Sequence, residues 1–150
     1  RLILINGHGG QISLLNTAAR ELRSFAPGMA VFPCFLWSGV NGLSDLLTKT
    51  EIENGLHASL AETSLMLALK PELVGDERPN EGIKGKIPEG WSLEGNAPTA
   101  WLTDDFSKSG VIGDSRGANE SLGKNLKELL INHWFKLIMN LMQSDWPNNS

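Results

Sequence analysis

The sequence predicts an α/β domain with a mainly parallel sheet, and three observations carry that reading. Residues 2–5, Leu-Ile-Leu-Ile, form a continuous apolar run, the pattern of a strand buried on both faces. A glycine-rich turn, Asn6-Gly7-His8-Gly9-Gly10-Gln11, follows at once. Ile12, Leu15, Ala19 and Leu22 then recur at helical spacing before a second strand-like run over residues 29–37. Strand, helix and strand in that order make one right-handed crossover unit.

Pro27-Gly28 ends the first helix. Pro33 inside the second strand calls for an edge position or a bulge, because proline has no N–H for the ladder. Residues 40–55 read as a loop with a short helix near 43–47. A helix over residues 60–69 follows, closed by Pro71. Residues 75–98 are rich in glycine, proline and charge and read as an irregular surface excursion or an inter-subunit arm. A short strand is expected over 99–103, and Gly110-Val111-Ile112-Gly113-Asp114 reads as a loop or bent strand. The last helix spans 119–143, with Leu122, Leu126, Leu129, Leu130, His133, Leu137 and Leu141 as its core stripe. The tail 147–150 is expected to fray. A central parallel strand needs neighbours on both sides, and few other strand candidates exist. The chain, 1–150, is therefore expected to be the C-terminal portion of a longer single domain whose N-terminal half is missing here.

The 150 residues are enough for one domain, and 41% hydrophobic against 20% charged residues indicates a globular chain rather than a disordered one. Net charge is −4 with no basic run, which argues against a nucleic acid or an anionic membrane as partner. Cys34 is the sole cysteine, so there is no internal disulfide and no cysteine zinc cage. A soluble protein of a reducing, cytoplasmic compartment is expected. No apolar stretch approaches the roughly 20 residues of a membrane span.

Ligand sites in open α/β sheets lie at the carboxyl ends of strands. His8 stands there, with Gly9 and Gly10 clearing space around it. It is placed to bind a metal or a polar substrate, or it simply occupies a tight turn. Trp37 falls at the end of the second strand, at the same sheet edge as His8, which sets it apart from tryptophans that read as packing. His57-Ala58-Ser59-Leu60-Ala61-Glu62-Thr63 is the other informative segment. Ser59 and Glu62 have capping-box spacing before an apolar helix. Glu62 also shares a stripe with Leu65, Met66 and Leu69, so it can face the interior, where a carboxylate must be paired, metal-bound or protonated. His57, just outside that helix, is placed to reach a neighbouring cleft, although alone it reads as a loop histidine. Trp91, Trp101, Trp134 and Trp146 read as packing, His133 as a satisfied core histidine, and Asp104, Asp105 and Asp114 as turn residues.

Two motifs together resemble the creatininase (creatinine amidohydrolase) family. Asn6-Gly7-His8-Gly9-Gly10 is similar to its N-G-H-G-G-N or N-G-H-x-E-N motif. His57-Ala58 with Glu62-Thr63 is similar to its H-A-G-E-x-E-T or H-G-G-x-x-E-T segment. Gly110 to Asp114 also recurs there. The resemblance implies a layered α/β/α fold, of which this chain is the C-terminal part. It implies a metal-dependent amidohydrolase that cleaves the C–N bond of a cyclic amide or formamide with metal-activated water. Zinc or manganese, one or two ions per intact chain, is the implied cofactor. A small-molecule amide substrate and a homo-oligomer, a hexamer, are also implied. By resemblance His8 is a metal ligand, His57 and Glu62 are catalytic candidates, and Trp37, Gly9 and Gly10 touch substrate. The departures are specific. Gly10 and Leu60 occupy the alternative positions of a family glutamate ligand, and Glu53 stands where creatininase has a second substrate tryptophan. The alternative is a catalytically weakened member kept as a binding or oligomeric scaffold.

Overall fold

β1 (Leu2–Asn6) and β2 (Val31–Phe35) pair in parallel, and α1 (Ile12–Phe25) is the crossover between them. The register runs from Leu2 opposite Val31 to Asn6 opposite Phe35, with Pro33 opposite Leu4 and no bulge. These positions come from a computed structural model that describes residues 1–82, 87–94 and 97–147. Among the described residues β2 pairs with β1 alone, which is where a strand proline is tolerated. β1 likewise has a single partner strand. Leu2, Ile3 and Leu4 are accordingly half-buried rather than buried, and Ile5 is 47% exposed. The second strand is shorter than its apolar run, and Trp37 lies in the turn beyond it.

The chain divides into two compact units, residues 1–41 with 129–150, and residues 42–128. The first holds β1, α1, β2 and the later part of a long helix, α5 (Glu120–Gln143). Trp134 on that helix donates its indole N–H to the Leu36 carbonyl at 2.8 Å, so it anchors as well as packs. The expectation of a satisfied core histidine fails at His133. Its Nε2 is buried without a hydrogen-bond partner among the described residues, and its ring meets Trp134 edge-on at 5.3 Å. Leu137, assigned to the core stripe, is 45% exposed.

The second unit contains α2 (Leu43–Leu46), α3 (Lys49–Asn54), α4 (Leu60–Leu69) and the antiparallel pair β3 (Asn80–Glu81) and β4 (Gly113–Asp114). α3 was expected as loop. Thr48 caps it, its hydroxyl accepting from the Glu51 amide at 3.2 Å. α4 has the predicted bounds. The first turn of α5 is capped by Asn119, whose Oδ1 accepts from the Leu122 amide at 2.9 Å. Ile112 and Leu126 are fully buried at the centre of this unit.

The strand expected over 99–103 is absent. Asp105 Oδ2 captures the Leu102 amide at 2.8 Å and turns the chain into a 3-10 turn, Thr103–Asp105. Trp101 instead donates to the Leu93 carbonyl at 3.2 Å and packs on Phe106. Of the stretch 75–98, residues 83–86 and 95–96 lie outside the described residues; the remainder includes β3 and the buried Leu93. Of the tail, 148–150 also lie outside. Among the described residues no helix is long and apolar enough to cross a membrane.

Candidate functional site

In the first unit the end of β1 fixes His8. Asn6, the last residue of the strand, is buried, and its side chain clamps the histidine's main chain from both sides. Asn6 Nδ2 donates to the His8 carbonyl at 2.7 Å, and the His8 amide donates to Asn6 Oδ1 at 3.0 Å. The His8 side chain is exposed, and Gly9 opens a 3-10 turn that leads into α1. A Cβ at Gly10 would lie 2.9 Å from His8 Nε2, so a glycine is needed for the imidazole to sit where it does. The neighbouring strand end is tied to the same place, because the Leu36 amide donates to the Asn6 carbonyl at 2.7 Å. Trp37 follows directly and is half-buried.

In the second unit His57 is held on three sides. Its main chain bridges Ile112, with the Ile112 amide donating to the His57 carbonyl at 2.8 Å. Its Nδ1 lies 2.6 Å from the Gly110 carbonyl. A carbonyl only accepts, so Nδ1 carries the hydrogen and, in the neutral ring, Nε2 carries the lone pair. Ala58 follows in a left-handed conformation, φ 48°, which is uncommon for a residue with a Cβ. Two contacts over-determine it. The Ala58 amide donates to Glu62 Oε2 at 2.6 Å, and the Thr63 hydroxyl donates to the Ala58 carbonyl at 2.8 Å.

The expected capping box is therefore only half made, and shifted by one residue. Ser59 is the N-cap of α4, but its hydroxyl makes no cap bond. It donates to Glu51 Oε2 at 2.7 Å and accepts from the Asp114 amide at 3.0 Å. Glu51 was not singled out from the sequence, yet it is 8% exposed and its other oxygen accepts from the Ala61 amide at 2.8 Å. A signal for it existed. Thr48-x-x-Glu51 has the same capping spacing as Ser59-x-x-Glu62, but neither glutamate bonds its own cap residue: Glu62 reaches back to Ala58, and Glu51 reaches forward to Ser59 and Ala61. Asn6 was also passed over, although it belongs to the glycine motif. A cleft of about 1210 Å³ in this unit is lined by Glu51, Leu60, Glu81, Lys108 and Asp114 among others, and neither His57 nor Glu62 lines it.

His8, Gly9, Gly10 and Trp37 thus belong to the first unit, and His57 and Glu62 to the second. Of the expected turn aspartates, Asp114 is in β4 and pairs with Arg116 at 2.9 and 2.7 Å. The Arg116 guanidinium holds the Asp114 carboxyl down to about 2. A depressed carboxyl stabilises the fold above its unfolded value and loses that contribution as pH falls through the folded one. Arg116→Ala is expected to return Asp114 toward the ordinary value of about 3.9, read from its side-chain NMR titration. An unmoved titration would show that the neighbouring amide, not the guanidinium, sets it.

Among the described residues no group of three or more histidine, cysteine, aspartate or glutamate side chains is arranged to hold a metal ion. His8 fits one ligand position. It is an exposed imidazole on a fixed main chain, with Gly10 leaving room beside Nε2.

A parallel strand–helix–strand crossover in a chain otherwise built of helices and a short antiparallel pair makes this a mixed α/β protein. The chain belongs to the creatininase family: the family described as creatinine amidohydrolase matches residues 1–138. It is 28% identical over 127 residues to the mycofactocin precursor peptide peptidase of Mycobacterium ulcerans (strain Agy99), covering 84% of this chain and 43% of that protein. The likeness to the peptidase of the same name from Mycobacterium tuberculosis (strain CDC 1551 / Oshkosh) is 28% over 126 residues, with the same coverage. The chain thus spans less than half the length of these relatives. Among solved structures, creatininase Mn superposes with a TM-score of 0.63 at 23% identity, covering 96% of this chain and 57% of that one. A mutant creatininase of Zn-Zn type gives 0.64 at 24%, with the same coverage. These likenesses show the fold, a mixed α/β creatininase fold with a parallel sheet.

Proposed function

We propose that the protein is a metal-dependent amidohydrolase that cleaves the C–N bond of a small cyclic amide or formamide. The observation that carries this reading is His57, an imidazole whose Nδ1–H is committed to the Gly110 carbonyl, which leaves Nε2 as the proton-exchanging atom. In this reading Nε2 of His57 takes the proton that the attacking water loses and passes it to the departing amine. Glu62, whose Oε2 holds the Ala58 amide, keeps the corner in place and has Oε1 for a proton or substrate contact. His8 holds a zinc or manganese ion, and Trp37, Gly9 and Gly10 border the substrate. A divalent ion at such a site supplies Lewis acidity and makes a water nucleophilic near neutral pH. The similar proteins support the metals and the bond class: creatininases of Mn and Zn-Zn type, and a peptidase. A homo-oligomer belongs to the same reading.

His8→Ala in the full-length protein is expected to lower bound zinc or manganese, because neutral imidazole is a common ligand for both. Elemental analysis after dialysis measures it, and unchanged metal content removes His8 from the site.

One observation favours the second reading, a weakened member kept as a scaffold. Leu60 fills the position of a family glutamate, and its Cδ1 would stand 3.2 Å from a Cβ at Gly117 in a close-packed cleft wall. One negative ligand is then lost. Metal titration of the full-length protein is expected to show fewer than two tight sites, and Leu60→Glu to raise the number. Two tight sites in the unaltered protein would show that another carboxylate has taken over.

A further inference from the structure

We propose that Glu51 is a positioning residue that locks the His57 corner against the segment carrying its hydrogen-bond acceptor; this rests on the reading of His57 as the proton-transfer group. Glu51 touches no reacting atom in that reading. It acts through Ser59. Two of its contacts reach across the turn at Gly55 to the first residues of α4, the Ser59 hydroxyl at 2.7 Å and the Ala61 amide at 2.8 Å. The Ser59 hydroxyl then accepts from the Asp114 amide at 3.0 Å. This Glu51–Ser59–Asp114 chain fastens the α4 entry to the strand segment that begins at Gly110. That segment supplies both the Ile112 bridge to the His57 main chain and the Gly110 carbonyl at Nδ1.

The surroundings are shaped for it. A Cβ at Gly55 would lie 2.6 Å from the Glu51 carboxyl carbon, and a Cβ at Gly113 would collide with the Ser59 hydroxyl. Both glycines leave space that the two polar groups occupy. Ser59 is 1% exposed and Glu51 8%, so both need hydrogen-bond partners within the protein. A glutamate placed only to cap α3 would turn back toward Thr48. This one faces forward, to the residues that flank Ala58, the left-handed residue next to His57.

The test is the ring of His57 itself, read by long-range ¹H–¹⁵N correlation in the neutral imidazole, with His57→Gln used to assign it. The unaltered protein is expected to show one tautomer, hydrogen on Nδ1. Glu51→Ala is expected to give the mixed-tautomer signal of a mobile imidazole. Glu51→Gln preserves shape and can still accept from the Ala61 amide, but it turns an NH₂ group toward the Ser59 hydroxyl. It is expected to fall between the two. A folded Glu51→Ala that keeps the single Nδ1–H tautomer overturns the proposal. Should Glu51→Ala fail to fold, Ser59→Ala and Glu51→Gln decide: His57 ring signals identical to the unaltered protein in both overturn it, and a shift toward the mixed tautomer in either supports it. The readout needs no substrate. An absence of amide hydrolysis would sink the functional reading and leave this assignment standing, and a rigid His57 in the variants would do the reverse.

Discussion

Gly123→Val is expected to destabilise the fold by several kcal/mol, the largest structural effect of any single substitution considered. Gly123 lies in the first turns of α5, where glycine costs up to about 1 kcal/mol relative to alanine. The close approach of α4 explains its presence. A Cβ there would overlap the Ser64 carbonyl and stand 2.9 Å from the Ala68 Cβ. Ser64 is fully buried, and its hydroxyl accepts from the Asn119 amide at 3.1 Å, so the two helices are also joined by a hydrogen bond at this crossing. The obstructing atoms are backbone, which cannot swing aside as a side-chain tip can. The helix must move, and overpacking of this kind costs about 1–3 kcal/mol and sometimes more. Alanine sets helix propensity against the clash, and the clash is expected to win. Valine adds two methyl groups to it. Urea unfolding is expected to show a lower midpoint for Gly123→Ala and a much lower one for Gly123→Val. Gly75→Ala serves as the contrast, since nothing lies within 4 Å of a Cβ there. A midpoint for Gly123→Ala equal to or above the unaltered protein would show that the helices separate easily.

The elements that were legible have a period of their own. Leu2 to Ile5 read as a strand because nothing interrupts the apolar run, and α1 and α4 because their apolar residues keep helical spacing between recognisable ends. α3 was hidden because Ile52 is the lone large apolar residue among its charged and polar ones. Residues 99–103 looked like a strand because Trp101 and Leu102 are adjacent. The chain turns there for a local polar reason, the Asp105 carboxylate on the Leu102 amide. The same limit governs the site. The position of His8 was visible because strand end, glycines and imidazole are contiguous. The partner of His57 was not, because Gly110 lies 53 residues away. Nor was the role of Glu51, since Ser59 and Ala61 lie beyond a turn that nothing in the spacing predicts. Ser59 and Glu62 kept their capping spacing and still failed to form the box. The buried Glu51 carboxylate takes the serine hydroxyl and the Ala61 amide instead, so the helix start is satisfied from α3 rather than by its own cap.

His57→Asn in the full-length protein is expected to lower amide hydrolysis by about 10²–10⁴-fold, the usual contribution of a general acid or base. Asparagine is the informative replacement. Its amide nitrogen stands where Nδ1 stands and can still donate to the Gly110 carbonyl, so the contact worth about 1 kcal/mol is retained. It cannot carry and release a proton. A loss of turnover with unchanged unfolding therefore assigns the effect to proton transfer rather than to the corner's structure. Alanine would confound the two, because it abandons the Gly110 carbonyl. The assay is run on creatinine and a panel of formamides with zinc or manganese supplied, and kcat is separated from KM. A role confined to ground-state substrate binding raises KM and leaves kcat. A proton donor lowers kcat. Full turnover in His57→Asn on a substrate that the unaltered protein hydrolyses would remove His57 from the chemistry. The pinned Nδ1 would then be a structural bond only, and the scaffold reading would gain the ground that Leu60 already gives it.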